Sequence, residues 1–271
     1  MSEPIIRPTA PRAVAPLWVT LALAPLLLTT GAAAQAHLNL PGSAGPAWLL
    51  CDSLSTPETL VIGTPGKTGN AVVTILNHFT GTYAFSTWKV GAANAAAGSV
   101  YYPLTAMNGT AGARDALRVL NPGVTSDPTL YAFTPPLVSV TLQGSERTCR
   151  LVPGVRVLGV TERRTVLVTQ DRGGRLTYQA FDYTRLSAER KLPGDPTAQT
   201  SGPSVRVTGG QVHTSGVGVN ARTAYSFSNQ GVQYEVRVAG GQGSVTVLEA
   251  GRVAQREGFQ AFITGRAGTV K

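Results

Sequence analysis

Three histidines, two cysteines and a thin scatter of carboxylates are the residues of this 271-residue chain that could do chemistry. The histidines are His37, His78 and His213. Imidazole changes charge near neutral pH and is the commonest protein ligand for metals. His37 follows a run of small residues, Ala32-Ala33-Ala34-Gln35-Ala36. A cut after Ala36 would give His37 a free α-amine. Amine and imidazole nitrogens together suit copper(II), with His78 or His213 as the second imidazole. The plainer reading needs no cofactor. It makes His37 part of a frayed end, His78 a turn residue in Asn77-His78-Phe79, and His213 a strand-surface residue.

Cys51 and Cys149 lie 98 positions apart, with no CxxC spacing and no neighbouring histidine to suggest zinc. An even pair in an oxidising compartment reads as a disulfide. The carboxylates form no recognisable pair. A glycosidase needs two of them facing a cleft about 5–10 Å apart, and most here fall where turns or strand surfaces are expected. A GxSxG elbow, an HExxH helix, a Walker loop and a GxGxxG between strand and helix are all missing from the sequence. No catalytic residue is assigned, and a binding role is favoured over an enzyme. A small secreted hydrolase is kept as an alternative.

Whatever these residues do, the first 36 positions say where. Arg7 and Arg12 give a basic start, residues 17–28 are uncharged and apolar, and small residues follow. That is the pattern of a secretory signal. The apolar stretch is shorter than the roughly 20 residues a spanning helix needs. Cleavage is expected after Ala34 or Ala36, with Ala36 favoured. The mature chain is then exported to the periplasm, cell envelope or exterior, and it does not span a membrane.

The charge is uneven. Between His37 and Ala113 the charged residues are Asp52, Glu58, Lys67 and Lys89, which balance. From Arg114 onward there are 19 basic and 11 acidic residues. Arg172, Arg175, Arg206, Arg222, Arg237, Arg252 and Arg256 alternate with apolar residues, as outward positions of half-buried strands do. Nucleic acid is not expected as a partner of an exported chain. An envelope protein or a cell-surface polymer is, with the basic half as the contact surface.

The elements that must position these residues are strands. Short β-branched and aromatic runs alternate with Gly, Pro, Asn and Asp. In the front half the expected strands are 48–51, 59–62, 71–76, 82–90 and 100–104. A short helix is expected over 111–120, and another turn of helix from Ser126. A hairpin around Gly144 joins 137–142 to 148–152. In the back half, 155–161, 165–170 and 175–183 form strands, with a turn at Asp171-Arg172-Gly173-Gly174. Residues 186–202 read as a loop. Strands over 205–208 and 211–214 flank Gly209-Gly210. The end of the chain reads as an antiparallel meander of 223–228, 232–239, 244–248 and 259–263.

The fold class is therefore all-β and mainly antiparallel, a β-sandwich or open barrel with one or two short helices. Its divisions are a signal peptide over 1–36, a disulfide-stapled module over 37–150 and a basic module over 151–271. Among the aromatics, Tyr83, Phe85, Trp88, Tyr101 and Tyr102 could line a groove. Trp88 and Tyr102, with Arg172 and Arg175, are taken as the candidate ligand surface.

Two resemblances follow. An N-terminal His37 resembles the histidine brace of copper-dependent polysaccharide monooxygenases and of periplasmic CopC-like copper carriers, which are exported β-sandwiches. That resemblance implies a copper site and rests on His37 alone. The stretches 160–183 and 224–262 are similar in texture to exported β-rich bacterial envelope proteins, a resemblance that brings no activity with it.

Overall fold

The computed structural model describes residues 35–109, 112, 114–121, 137–183, 202–217 and 221–265. It is built from antiparallel strands in three sheets. Two strands rich in buried apolar residues lie in the central sheet. These are β12 (Val155–Val160) and β13 (Arg164–Gln170), where most side chains are buried. A strand covered on one face alternates; a strand covered on both reads as a continuous apolar run. β12 and β13 are of the second kind. The central sheet runs β15 (Val205–Thr208), β14 (Leu176–Asp182), β13, β12, β21 (Ala261–Thr264), β1 (Gln35–Leu40) and β2 (Ser43–Ala47).

One face of the central sheet packs on a five-stranded meander. Its strands are β16 (Gln211–Ser215), β17 (Arg222–Asn229), β18 (Val232–Ala239), β19 (Gln242–Glu249) and β20 (Arg252–Gly258). Tyr225, Phe227, Val236 and Val245 of the meander meet Val166, Val168, Tyr178 and Ala180 in one core. Phe259 locks the two sheets. A Cβ at Gly159 would lie 2.5 Å from its ring, and one at Gly243 would also overlap it. Only glycine leaves room for the ring at these two places. Gly210 does the same for Phe227. Gly209-Gly210 is a crossing between sheets: β15 pairs with β14, and β16 pairs with β17.

The other face packs on a curled sheet formed by the front half of the chain. Its order is β11 (Ser145–Thr148), β10 (Leu137–Leu142), β9 (Ala116–Leu120), β8 (Ser99–Ala106), β6 (Thr82–Val90), β5 (Asn70–Asn77), β4 (Glu58–Ile62) and β3 (Leu49–Asp52), with β7 (Asn94–Ala96) beside β8. The sheet curls until its ends nearly meet. Cys149 donates its amide to Val138 on β10, while Arg150 donates to Asp52 on β3. The Cys51–Cys149 disulfide fastens this seam. Two ion pairs flank it, Arg150–Asp52 at 2.6 Å and Arg147–Glu58 at 3.0 Å. Inside the curl, Leu60, Val73, Trp88, Leu117 and Val140 form a separate core.

The all-β, antiparallel expectation holds, and so does the disulfide. The helix expected over 111–120 does not: 116–120 is strand β9. Leu117 and Val119 point into the curled core with β8 and β10 on either side, a period of two that a helix cannot supply. The expected turn of helix from Ser126 lies outside the described residues, as do the loop over 186–202 except for Gly202 and the proposed signal over 1–36 except for Gln35 and Ala36, which belong to β1. Among the described residues no helix is long and apolar enough to cross a membrane.

Candidate interaction surface

β5 and β6 form a hairpin whose turn is written in the sequence. The Asn77 side-chain oxygen accepts from the amides of Phe79 and Thr80 at 3.0 and 3.1 Å, and Gly81 closes the turn at φ +67°. Asn and Gly do this because one mimics a backbone turn with its side chain and the other tolerates positive φ. The turn sets the register, Asn77 opposite Thr82 through Asn70 opposite Lys89. That register decides which side chains of β6 are buried.

Trp88 falls on the inner face with Val73 and Ala71. It is 3% exposed, and its indole N–H donates to Ser86 Oγ at 2.9 Å. Tyr83, Phe85, Thr87 and Lys89 fall on the outer face. There Tyr83 is 40% and Phe85 48% exposed, with rings in edge contact at 5.4 Å. Val72 across the hairpin, Phe79 in the turn and Met107 are also about half exposed. Large apolar side chains gathered in one place on a surface mark a contact site more often than scattered ones do.

The backbone of β6 is open at the same place. Val90 donates to Gly69, so residues of even number point their peptide groups at β5. Tyr83, Phe85, Thr87 and Lys89 point theirs the other way. Met107 donates to the Thr87 carbonyl, and β8 pairs with β6 only at Trp88, Lys89 and Val90. Among the described residues, no strand lies beside 82–86 on that side. Among the described residues, the amides and carbonyls of Tyr83 and Phe85 therefore form an open edge bounded by the Gly81 turn and Met107. Such an edge is a template for another strand.

The other candidates lie elsewhere. Tyr102 stands edge-on to Trp48 at 5.3 Å and is half-buried against the curled core. Arg172 and Arg175 sit in the exposed β13–β14 turn, where Arg175 faces Asp171. All seven arginines named above are exposed. Three of them, Arg222, Arg237 and Arg256, share the outer face of the meander with Ser226, Ser244 and Thr246, and Arg237 pairs with Glu235 at 2.7 Å.

The three histidines stand on three elements with separate neighbours. His37 lies within β1, its ring flat on Phe262 at 4.8 Å. His78 stacks on Tyr183 at 3.8 Å and shares a hydrogen bond with Thr59 at 2.9 Å. Burial lowers its pKa to about 4, against the opposing pull of Asp52 and Glu58. Behind it, Asp52 accepts from Thr165, which is hydrogen-bonded to the buried Tyr183 hydroxyl. His213 is exposed on β16. Among the described residues no three His, Cys, Asp or Glu are grouped to hold a metal ion. A chain cut before His37 would also lose Ala36, fully buried and paired with Ile263 and Ala47.

Asp52, Glu58, Asp171, Asp182, Glu235 and Glu257 pair with arginines. Asp182 and Glu257 each lie 3.2 Å from Arg164 Nε. The cleft lined by His78, Tyr83, Glu162 and Gln260 holds about 20 Å3, room for about one water molecule. Sequence parity carried a signal for the exposed pair. Tyr83 and Phe85 alternate in step with Lys89, whereas Trp88 does not. The open edge had no such signal, because it depends on where a distant strand stops.

No protein-family model, curated protein or solved structure matches this chain.

Proposed function

We propose that the protein is an exported, non-catalytic binding and assembly module of the cell envelope or exterior, and that it engages a protein partner along the open edge of β6. The observation that carries this reading is the coincidence at Tyr83 and Phe85 of exposed aromatic side chains with peptide groups that no described strand pairs. Backbone hydrogen bonds supply affinity in strand addition, and alternate side chains supply selectivity. The disulfide supports the compartment, because such bonds persist in oxidising surroundings. The leader pattern of residues 1–36 supports it independently. A protein partner is favoured over a charged polymer. The strand stretch 82–86 carries no charge, and the arginines of the meander are interleaved with Ser and Thr as on an ordinary solvated sheet face. Nucleic acid has no place in this reading.

The test is site-specific photo-crosslinking in cells that make the full chain with its own leader. A crosslinker at Phe85 should give one discrete adduct, and the same group at Arg172 should give none. Equal, diffuse labelling at both positions would sink the assignment.

A further inference from the structure

We infer that the strand that completes the β6 edge is the β6 edge of a second copy of this chain, in antiparallel, two-fold symmetric register centred on Ala84. The inference rests on the assembly reading above and names its partner. Two identical edges can meet about a two-fold axis only if the outward peptide groups of one face the outward groups of the other. With Ala84 opposite Ala84 of the second copy, Tyr83 stands opposite Phe85 and Phe85 opposite Tyr83. Both are outward-pointing residues, so each opposed pair is a hydrogen-bonded pair of the antiparallel pattern. The four open groups on each side, two amides and two carbonyls, are then all paired. Shifting by one residue would put outward groups against inward ones and lose the ladder.

The side chains agree with this register. On the outer face it brings each Tyr83 against a Phe85, a cross-strand aromatic pair of the favoured kind. On the opposite face the two-fold axis passes between alanines. A non-hydrogen-bonded pair has the closest Cα approach in an antiparallel sheet, so the small Ala84 side chain fits there. Thr82 opposes Ser86, again small and uncharged. Natural edges are usually protected by a lysine, a proline or a bulge. None interrupts 82–86, and the register from Asn70 to Asn77 against Lys89 to Thr82 is unbroken. Lys89 comes only after β8 has taken over the edge. A patch that is complementary to itself closes as a dimer and cannot grow into a fibre. The seam is short, which places it among weak, concentration-dependent associations.

Sedimentation or light scattering of the mature, disulfide-bonded protein, taken up to about 1 mM, tests this. The expected result is a particle mass that climbs from one chain towards two. Phe85→Pro removes an outward amide without touching a bond to β5, and should hold the protein at one chain with an unchanged circular dichroism spectrum. Ala84→Cys should oxidise to a covalent dimer, because opposed Cα atoms at such a pair lie within disulfide reach. Val72→Cys, exposed but away from the edge, should not. One chain at every concentration, with no dimer from Ala84→Cys, overturns the inference. If the Phe85 photo-adduct then proves to contain another protein, the assembly reading stands without it. If there is no adduct either, both fall.

Discussion

Replacing both cysteines, Cys51→Ala with Cys149→Ala, removes the clasp of the curled sheet. The bridge closes a ring of 98 positions. Loop entropy alone assigns such a ring about 4–5 kcal/mol at 25 °C. The two cysteines are 0% and 4% exposed, so the alanines also leave a small void next to Leu60 and Val140. Against this, Arg150–Asp52, Arg147–Glu58 and the backbone bonds from Arg150 to Asp52 and from Leu54 to Thr148 still hold the seam. A net loss of about 4 kcal/mol is expected. At about 2–4 °C per kcal/mol for a chain of this size, Tm should fall by roughly 8–16 °C. Thermal unfolding of the two proteins, followed by circular dichroism, measures it. Thiol titration of the native protein should first find no free cysteine. A fall of less than about 3 °C would mean that the seam closes without the bridge, and would refute the role given to it here.

His78 sets a pH dependence. Its folded pKa, about 4, lies below the ordinary value of 6.5, so the unfolded chain binds its proton first. The stability it contributes is complete above pH 6.5 and is lost as the pH falls towards 4, by up to about 3 kcal/mol. Urea midpoints of wild type and His78→Gln at pH 7.5 and 4.5 should converge at the lower pH; parallel curves would exclude His78 as the cause. Gly159→Ala should cost about 1–3 kcal/mol by pushing on the Phe259 ring, while Gly202→Ala, with open space around it, should cost little. Equal effects would mean the ring is not wedged between the sheets. If the leader is removed, cleavage should fall after Ala34 rather than after Ala36, because Ala36 is fully buried and paired with Ile263 and Ala47, and the N-terminal Gln35 should then cyclise. Mass spectrometry reads the end directly, and a start at His37 would contradict the expectation and restore the copper reading.

The strands legible in sequence were those with a strong period and their own turns. Residues 82–90, 137–142 and 232–239 have the bounds the sequence suggests. β20 went unread because RVAQREG is a charged edge strand with little of it buried. β1 and β2 read as a frayed end, yet they pair through Ala36–Ala47 and Leu40–Ser43 and finish the central sheet. The last apolar run, expected to close the meander, leaves it and inserts as β21 between β12 and β1. That choice depends on contacts some 100 and 220 positions away, which no local pattern records. The same limit applies to the candidate site. The exposed faces of Tyr83 and Phe85 follow from alternation, but their open peptide groups follow from β8 stopping short of them.

Residue-resolved amide hydrogen exchange is the most direct test of the β6 edge. Thr82, Ala84 and Ser86 turn their amides to β5 and should exchange slowly at any protein concentration. Tyr83 and Phe85 should exchange fast in dilute protein and become protected as concentration rises. If Tyr83 and Phe85 stay unprotected in samples where the protein is associated, another surface makes the contact and the account of this edge is wrong.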